Sequence, residues 1–235
     1  MSNNPNVSIV IPAYNEEARI ENVVKNICDH FPGQEIIAVC NGCTDKTNHI
    51  LNTLRSRYPQ IQILNFPQKL GKGGAIIEGF KIAQGQRIGF ADADDSVEPS
   101  DIKKLFDALD NSDGVIASRR LSTSKITSHQ PIIRRFSSKV FNIIVRVLFN
   151  LNFKDTQCGV KVFRKEVIKD VLDSLCTTGF EFDVELLWKL KNKGYRIVEL
   201  PVVWKHSKGS TFSLTNAPKM LISLLKIRLC KPHKI

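Results

Sequence analysis

The stretch Arg87-Ile-Gly-Phe-Ala-Asp-Ala-Asp-Asp-Ser96 decides how this chain is read. A short apolar run bounded by polar residues has the length and limits of a buried strand. This one stops in three carboxylates, Asp92, Asp94 and Asp95. In an open α/β sheet, ligands bind at the carboxyl ends of the strands. Side chains two apart on an extended segment point to the same side, so Asp92 and Asp94 can converge on one hard cation. Such a cation, held by one or two carboxylates, completes its shell with substrate phosphates. An Asp-X-Asp alone also occurs as an ordinary solvated turn, so the flanking chain has to decide.

Upstream, residues 7–12 form a β-rich run, and 16–30 carry helix-like spacing at Ile20, Val23, Val24 and Ile27. Residues 34–40 read as a second strand ending in Asn41-Gly42, and Thr44 or Asp45 can cap a helix to about 57. A short strand at 61–65, the break Lys69-Leu-Gly-Lys-Gly-Gly74 and a helix over 75–83 complete the first half. Downstream, 100–110 and 183–193 read as helices, and 114–118, 158–163 and 196–203 as strands. Strands alternating with helices predict an α/β protein, a mostly parallel central sheet with helices on both faces. Residues 134–149 and 219–231 are amphipathic and basic, a pattern that suits a membrane surface.

The 235 residues suffice for one large α/β domain, here 1–210, with a basic amphipathic tail at 211–235. Against 23 acidic residues stand 34 Lys and Arg, a formal charge of +11 that favours an anionic partner: nucleic acid, a bilayer surface or phosphorylated substrates. Six scattered Cys include only one Cys-X-X-Cys, Cys40 and Cys43, and read as reduced thiols suited to the cytosol. No signal peptide or membrane-spanning run is expected.

Five stretches together resemble one family. Ile11-Pro-Ala-Tyr-Asn-Glu-Glu17, Asn41-Gly-Cys-Thr-Asp-Lys-Thr47, Gly71-Lys-Gly-Gly-Ala75, Ala91-Asp-Ala-Asp94 and Asp155-Thr-Gln-Cys-Gly-Val-Lys-Val-Phe163 are similar to the ordered motifs of family 2 inverting glycosyltransferases of GT-A fold. Within that family they most resemble the polyprenyl- and dolichyl-phosphate sugar transferases, over about residues 7 to 205. The resemblance implies a nucleotide diphosphate sugar donor held by Pro12, Ala13, Tyr14, Glu16, Asn41, Lys72 and Asp92. It implies a divalent metal, magnesium or manganese, on Asp92 and Asp94. One departure stands out: relatives commonly carry Asp-Asp-Gly-Ser where this chain has Cys40-Asn41-Gly42-Cys43. Asn donates as well as accepts, which leaves the nucleobase open.

Physically, Lys72 among glycines at a helix start suits a phosphate. Arg119 could pair bidentately with another. Asp183 lies where relatives carry an acidic residue near the reaction centre, as a base or as an orienting charge, and joins Asp94 and Arg119 as expected catalytic residues. Asp155, Thr156 and Gln157, with Lys208, are expected on the acceptor side. The resemblance implies polyprenyl phosphate as acceptor, whose phosphate monoester is largely ionised at neutral pH and needs little help from a general base. The enzyme is expected on the cytoplasmic face of a membrane, at an anionic surface, with a membrane-anchored protein as a possible partner. A saccharide or glycolipid acceptor is the rival within the fold. A nucleic-acid-binding protein is the rival from another class, disfavoured because the basic residues are interleaved with bulky aliphatic ones and no nucleic-acid motif is present.

Overall fold

The computed structural model describes residues 5–127, 132–206, 222–225, 227 and 228. The first half is built of β1 (Val7–Ala13), α1 (Ile20–His30), β2 (Glu35–Asn41), α2 (Thr47–Arg57), β3 (Ile61–Phe66), α3 (Lys72–Ile82) and β4 (Arg87–Ala91). The second half adds α4 (Pro99–Asp107), β5 (Gly114–Ser118), β6 (Lys125–Ile126), α5 (Ile132–Phe149), β7 (Val160–Arg164), α6 (Lys165–Leu172), α7 (Phe182–Asn192), β8 (Ile197–Pro201) and β9 (Val203–Trp204).

Seven strands make one sheet in the order β3-β2-β1-β4-β7-β5-β8, and β6 and β9 form a separate pair. The near-continuous apolar runs of β1, β2 and β5 are buried throughout or nearly so, as strands covered on both faces must be. One face packs under α1, α2 and α4 through Ile20, Val24, Ile27, Leu51, Leu54, Ile102 and Leu105. The other packs under α3, α6 and α7 through Ile76, Phe80, Ile168, Phe182, Leu186 and Leu190. A smaller cluster joins α5 to α7 through Val145, Phe149 and Leu187, and takes in Leu224 and Ile227 of the tail.

The sheet is mostly parallel, as expected, with β7 antiparallel to both neighbours, β4 and β5. One expectation needs correction. The helix expected from residue 16 begins at Ile20, because Asn15 has a left-handed backbone (φ 54°) and residues 16–17 are tied elsewhere. The Glu16 amide donates to Thr47 Oγ1 and the Glu17 amide to Asp45 Oδ2, which holds the end of β1 against the start of α2. The sequence reading also passed over α6.

β1 pairs in parallel with β2 on one side and β4 on the other, and the chain winds away from β1 in opposite directions across that line. This is a topological switch point, where an α/β sheet opens a crevice at its carboxyl edge. Pro12 and Ala13 end β1 there, and Asp92 follows β4.

Candidate active site

A cleft of about 350 Å³ occupies the switch point. Its walls include Pro12, Ala13, Tyr14, Glu16, Asn41, Lys72, Asp92 and Asp94, so every residue expected at the nucleotide sugar, and both expected metal ligands, meet in one space. Arg19, Lys69, Gly179 and Phe180 complete much of the lining and were not foreseen. The Lys69 ammonium lies 3.5 Å from the centroid of the Tyr14 ring, a cation-π contact that caps the ring. Glu16 accepts from Arg19 Nε at 2.8 Å, and burial raises its pKa against that pull.

Asn41 is buried, and its Oδ1 accepts from the Leu70 amide at 2.5 Å. Its carbonyl oxygen is therefore spent on anchoring the glycine-rich turn that leads into α3. Gly71 sits in that turn with φ +85°, and a Cβ there would lie 2.2 Å from the Thr178 carbonyl oxygen. Only glycine combines that backbone with that approach. The turn thus seats against residues 177–179, and Lys72, the first residue of α3, projects into the cleft.

Lys72 Nζ stands 2.8 Å from Asp92 Oδ1 and 3.6 Å from Asp183 Oδ2. Burial alone would lower the Lys72 pKa, but Asp183 and Asp92 more than offset it and raise the pKa above the ordinary range. Asp92 is held above the usual carboxylate value by burial, with Asp94 adding repulsion against the pull of Lys72. Behind Asp92 stands Gly159: a Cβ there would come within 1.9 Å of Asp92 Oδ2, so the strand carrying the carboxylate and the turn before β7 approach as only glycine permits. Asp94 Oδ1 accepts from the amide of Ser96 at 3.0 Å and from its hydroxyl, so Ser96 orients the second carboxylate.

This donor set suits magnesium or manganese. Oxygen ligands match a hard cation, and Asp92 and Asp94 both line the cleft at the end of β4. Among the described residues no group of three or more His, Cys, Asp or Glu forms a closed cage. A cation on Asp92 and Asp94 would therefore draw further ligands from substrate.

The acceptor-side expectations fare differently. Arg119 does not present an unoccupied fork to a phosphate: its Nε and Nη2 donate to the two oxygens of Asp155 at 2.7 and 2.8 Å, and its amide donates as well at 2.9 Å. Burial would raise the Asp155 pKa, but Arg119 pulls it down to about 2. Asp155 and Thr156 are buried rather than lining a pocket, the latter with its hydroxyl 3.4 Å from Asn142 Nδ2. Gln157 is half-buried, with Nε2 3.5 Å from the carbonyl of Phe180, a cleft residue. Lys208 lies outside the described residues. Asp183 is only 1 % exposed, and both of its oxygens face ammonium groups, Oδ1 that of Lys161 and Oδ2 that of Lys72. Lys161 was missed, although a lysine in the apolar run Val160-Lys-Val-Phe163 is a visible signal, since lysine is rarely buried unless paired.

An α/β sheet whose switch-point cleft gathers an aromatic ring, two carboxylates and a lysine at a glycine-rich helix start is the architecture of the GT-A fold. The model of glycosyl transferase family 2 matches residues 8–172, and the chain belongs to that family; it is a glycosyltransferase. It is 32% identical over 94% of its length to a dolichyl-phosphate beta-glucosyltransferase of Trichomonas vaginalis, 72% of which is covered. It is 28% identical, over 84% of its length and 83% of the other chain, to an undecaprenyl-phosphate mannosyltransferase of Micrococcus luteus. Among solved structures, glucosyl-3-phosphoglycerate synthase from Mycobacterium tuberculosis, in complex with Mn2+, UDP and phosphoglyceric acid, superposes with a TM-score of 0.71 at 19% identity, covering 98% of this chain and 80% of that one. At that identity the likeness speaks for the fold.

Proposed function

We propose that the enzyme transfers a hexose from a nucleotide diphosphate sugar to a polyprenyl phosphate, with inversion, using magnesium or manganese. The relatives named for transfer to dolichyl and undecaprenyl phosphate support the lipid acceptor. One of them moves glucose and the other mannose, so the sugar is left to experiment.

The observation that carries the reading is the state of Asp183. A hydroxyl acceptor needs a carboxylate able to take its proton, yet both oxygens of Asp183 face lysines. A phosphate monoester arrives largely ionised and asks only for positioning and electrostatic support. Asp183 then acts as the orienting charge for Lys72 rather than as a base. In this reading Tyr14 and Glu16 hold the nucleoside and Lys72 meets the diphosphate. Asp92 and Asp94 would hold the cation, which stabilises charge developing on the leaving nucleotide.

No helix among the described residues is long and apolar enough to cross a membrane. Contact with a bilayer surface is supported by α5, where Ile143 is 59 % and Val147 76 % exposed beside Val140, and by the exposed Ile222 and Leu225. Positions 140, 143 and 147 share one helical face. That face sits on the outside of a chain of charge +11, which suits an anionic, cytoplasmic surface.

The test is transfer from labelled UDP-glucose, GDP-mannose and UDP-N-acetylglucosamine to polyprenyl phosphate in detergent, with manganese or magnesium and an EDTA control. One donor should yield a metal-dependent glycolipid with a β linkage. Transfer to a saccharide, with no binding of polyprenyl phosphate, would replace the lipid acceptor by the rival one.

A further inference from the structure

Lys161 stands in the middle of β7, in register with Phe90 of β4 and Ile116 of β5, and is 0 % exposed. Among the described residues no other lysine or arginine is buried so completely. Strand alternation puts it on the same face as Phe163, which belongs to the apolar layer beneath α3, α6 and α7. Burying an ammonium in such a layer carries a large desolvation penalty, and replacing a buried ion pair by apolar side chains is often neutral or stabilising. Stability therefore gives no reason for a lysine here.

Its partners give one. Lys161 Nζ donates to the Cys158 carbonyl at 2.7 Å and to Asp183 Oδ1 at 2.5 Å. Asp183 Oδ2 faces Lys72, and Lys72 reaches Asp92. Charges alternate along the line Lys161, Asp183, Lys72, Asp92. The Phe90 ring lies beside both ammonium groups, 5.4 Å from that of Lys161 and 5.6 Å from that of Lys72.

We infer that Lys161 is a positioning residue for the donor site: it fixes the Asp183 carboxylate, and Asp183 in turn sets where the Lys72 ammonium stands in the cleft. Lys72 has two carboxylates within reach, and a cation on Asp92 repels it from one of them. Asp183 is then the group that keeps Lys72 in place. With Lys161 absent, Asp183 has Lys72 as its one close cation and draws the ammonium inward, away from an incoming diphosphate. The inference rests on the reading of this cleft as the donor site with Lys72 at the diphosphate.

The experiment measures binding of UDP and of GDP, each with Mn2+ and without acceptor, to the purified full chain by calorimetry. The proteins compared are wild type, Lys72→Met, Lys161→Met and the double variant, alongside donor KM and kcat. Lys161→Met should weaken the better-bound nucleotide about tenfold and raise donor KM. The double variant should bind no worse than Lys72→Met, because both changes remove one contact. Should Lys161→Met not fold, Lys161→Met/Asp183→Asn removes the buried pair together and carries the same expectation of weakened nucleotide binding. A folded Lys161→Met, or a folded paired variant, that binds nucleotide like wild type overturns the inference even if its melting temperature has dropped. Additive losses in the double variant overturn it too. An unchanged Lys72→Met sinks the donor-site reading of Lys72 and the inference with it, whereas a weakened Lys72→Met beside an unchanged Lys161→Met sinks the inference alone.

Discussion

At the switch-point cleft Tyr14, Glu16, Asp92 and Asp94 line open volume even where they also have partners, as Glu16 has Arg19 and Asp92 has Lys72, whereas on the β5–β7 side Asp155 and Thr156 are buried and the Arg119 fork is taken up by Asp155. Both sets belong to motifs of similar polarity. The first set ends strands at a switch point, where the backbone diverges and nothing fills the gap. The second flanks an antiparallel strand inserted between parallel ones, and its charges neutralise each other, tying the segment before β7 to the end of β5. A polar motif is thus a contact surface in one region and a brace in the other.

The comparison breaks most readily at Asp92. If the cleft side works by direct contact, Asp92→Asn should lower transfer by about a thousandfold, the scale seen when an electrostatic contact to the transition state is removed. EDTA should have an effect at least as large. Thermal stability should change little, since the variant keeps the shape and loses only a partner of Lys72. Unaltered turnover in Asp92→Asn, with metal dependence retained, would move the cation elsewhere.

On the braced side the expectation reverses. Asp155→Asn leaves Arg119 without its counter-ion, and breaking a buried pair from one side costs about 3 kcal/mol. Denaturant unfolding should show that loss, with a larger effect on stability than on donor KM. The pH dependence has a definite sign. The folded Asp155 pKa is about 2, below the ordinary 3.9 of an unfolded aspartate. Its contribution, roughly 3 kcal/mol, is nearly complete above about pH 4 and is lost as pH falls through 2. Wild type should therefore lose stability in that window, and Asp155→Asn should not lose this part of it. A variant of wild-type stability with a greatly raised acceptor KM would instead return Asp155 to the acceptor pocket.

The same contrast explains what was legible in the sequence. Short-range signals sufficed for the cleft: the apolar run before Asp92, the glycines around Lys72 and the Pro-Ala-Tyr-Asn-Glu turn each carry their meaning locally. The antiparallel sense of β7 did not follow from alternation, because direction depends on how the chain returns after α5 and no residue in 158–163 encodes it. The Arg119–Asp155 pairing spans 36 positions and that of Lys161 with Asp183 spans 22, so Arg119, Asp155 and Asp183 each looked available to a ligand when read alone, and Lys161 was passed over. The late start of α1 was hidden in the same way, since the amides of Glu16 and Glu17 are claimed by Thr47 and Asp45 across the sheet edge.

Gly159 joins the two regions, and its substitution should have an intermediate effect. A Cβ at 1.9 Å from Asp92 Oδ2 forces either the carboxylate or the turn to shift. Gly159→Ala should therefore weaken Mn2+ binding about tenfold, seen by titration with nucleotide present, while Gly33→Ala, at a site with φ +70° and no neighbour within 4 Å, leaves it unchanged. Equal Mn2+ affinity in Gly159→Ala and wild type would show that the brace tolerates movement without passing it to the cleft.

The smallest effect belongs to neither region but to the outer face of α5. Its inner residues, Val145 and Phe149, pack with Leu187, Leu224 and Ile227, so substitutions on the opposite side leave the core alone. Val147 is 76 % exposed, and covering a side chain of its size with acyl chains is worth about 1.5 kcal/mol, or roughly tenfold in affinity. Val147→Asp should weaken co-sedimentation with vesicles containing anionic lipid by about that factor, with turnover on detergent-dispersed acceptor unaltered. Since Val147→Asp also lowers the charge that draws the chain to such vesicles, raising salt should weaken binding of both proteins and narrow the ratio between them toward its apolar part. If Val147→Asp instead sediments like wild type at every salt concentration, the apolar face of α5 is not what meets the bilayer, and a protein partner becomes its natural cover.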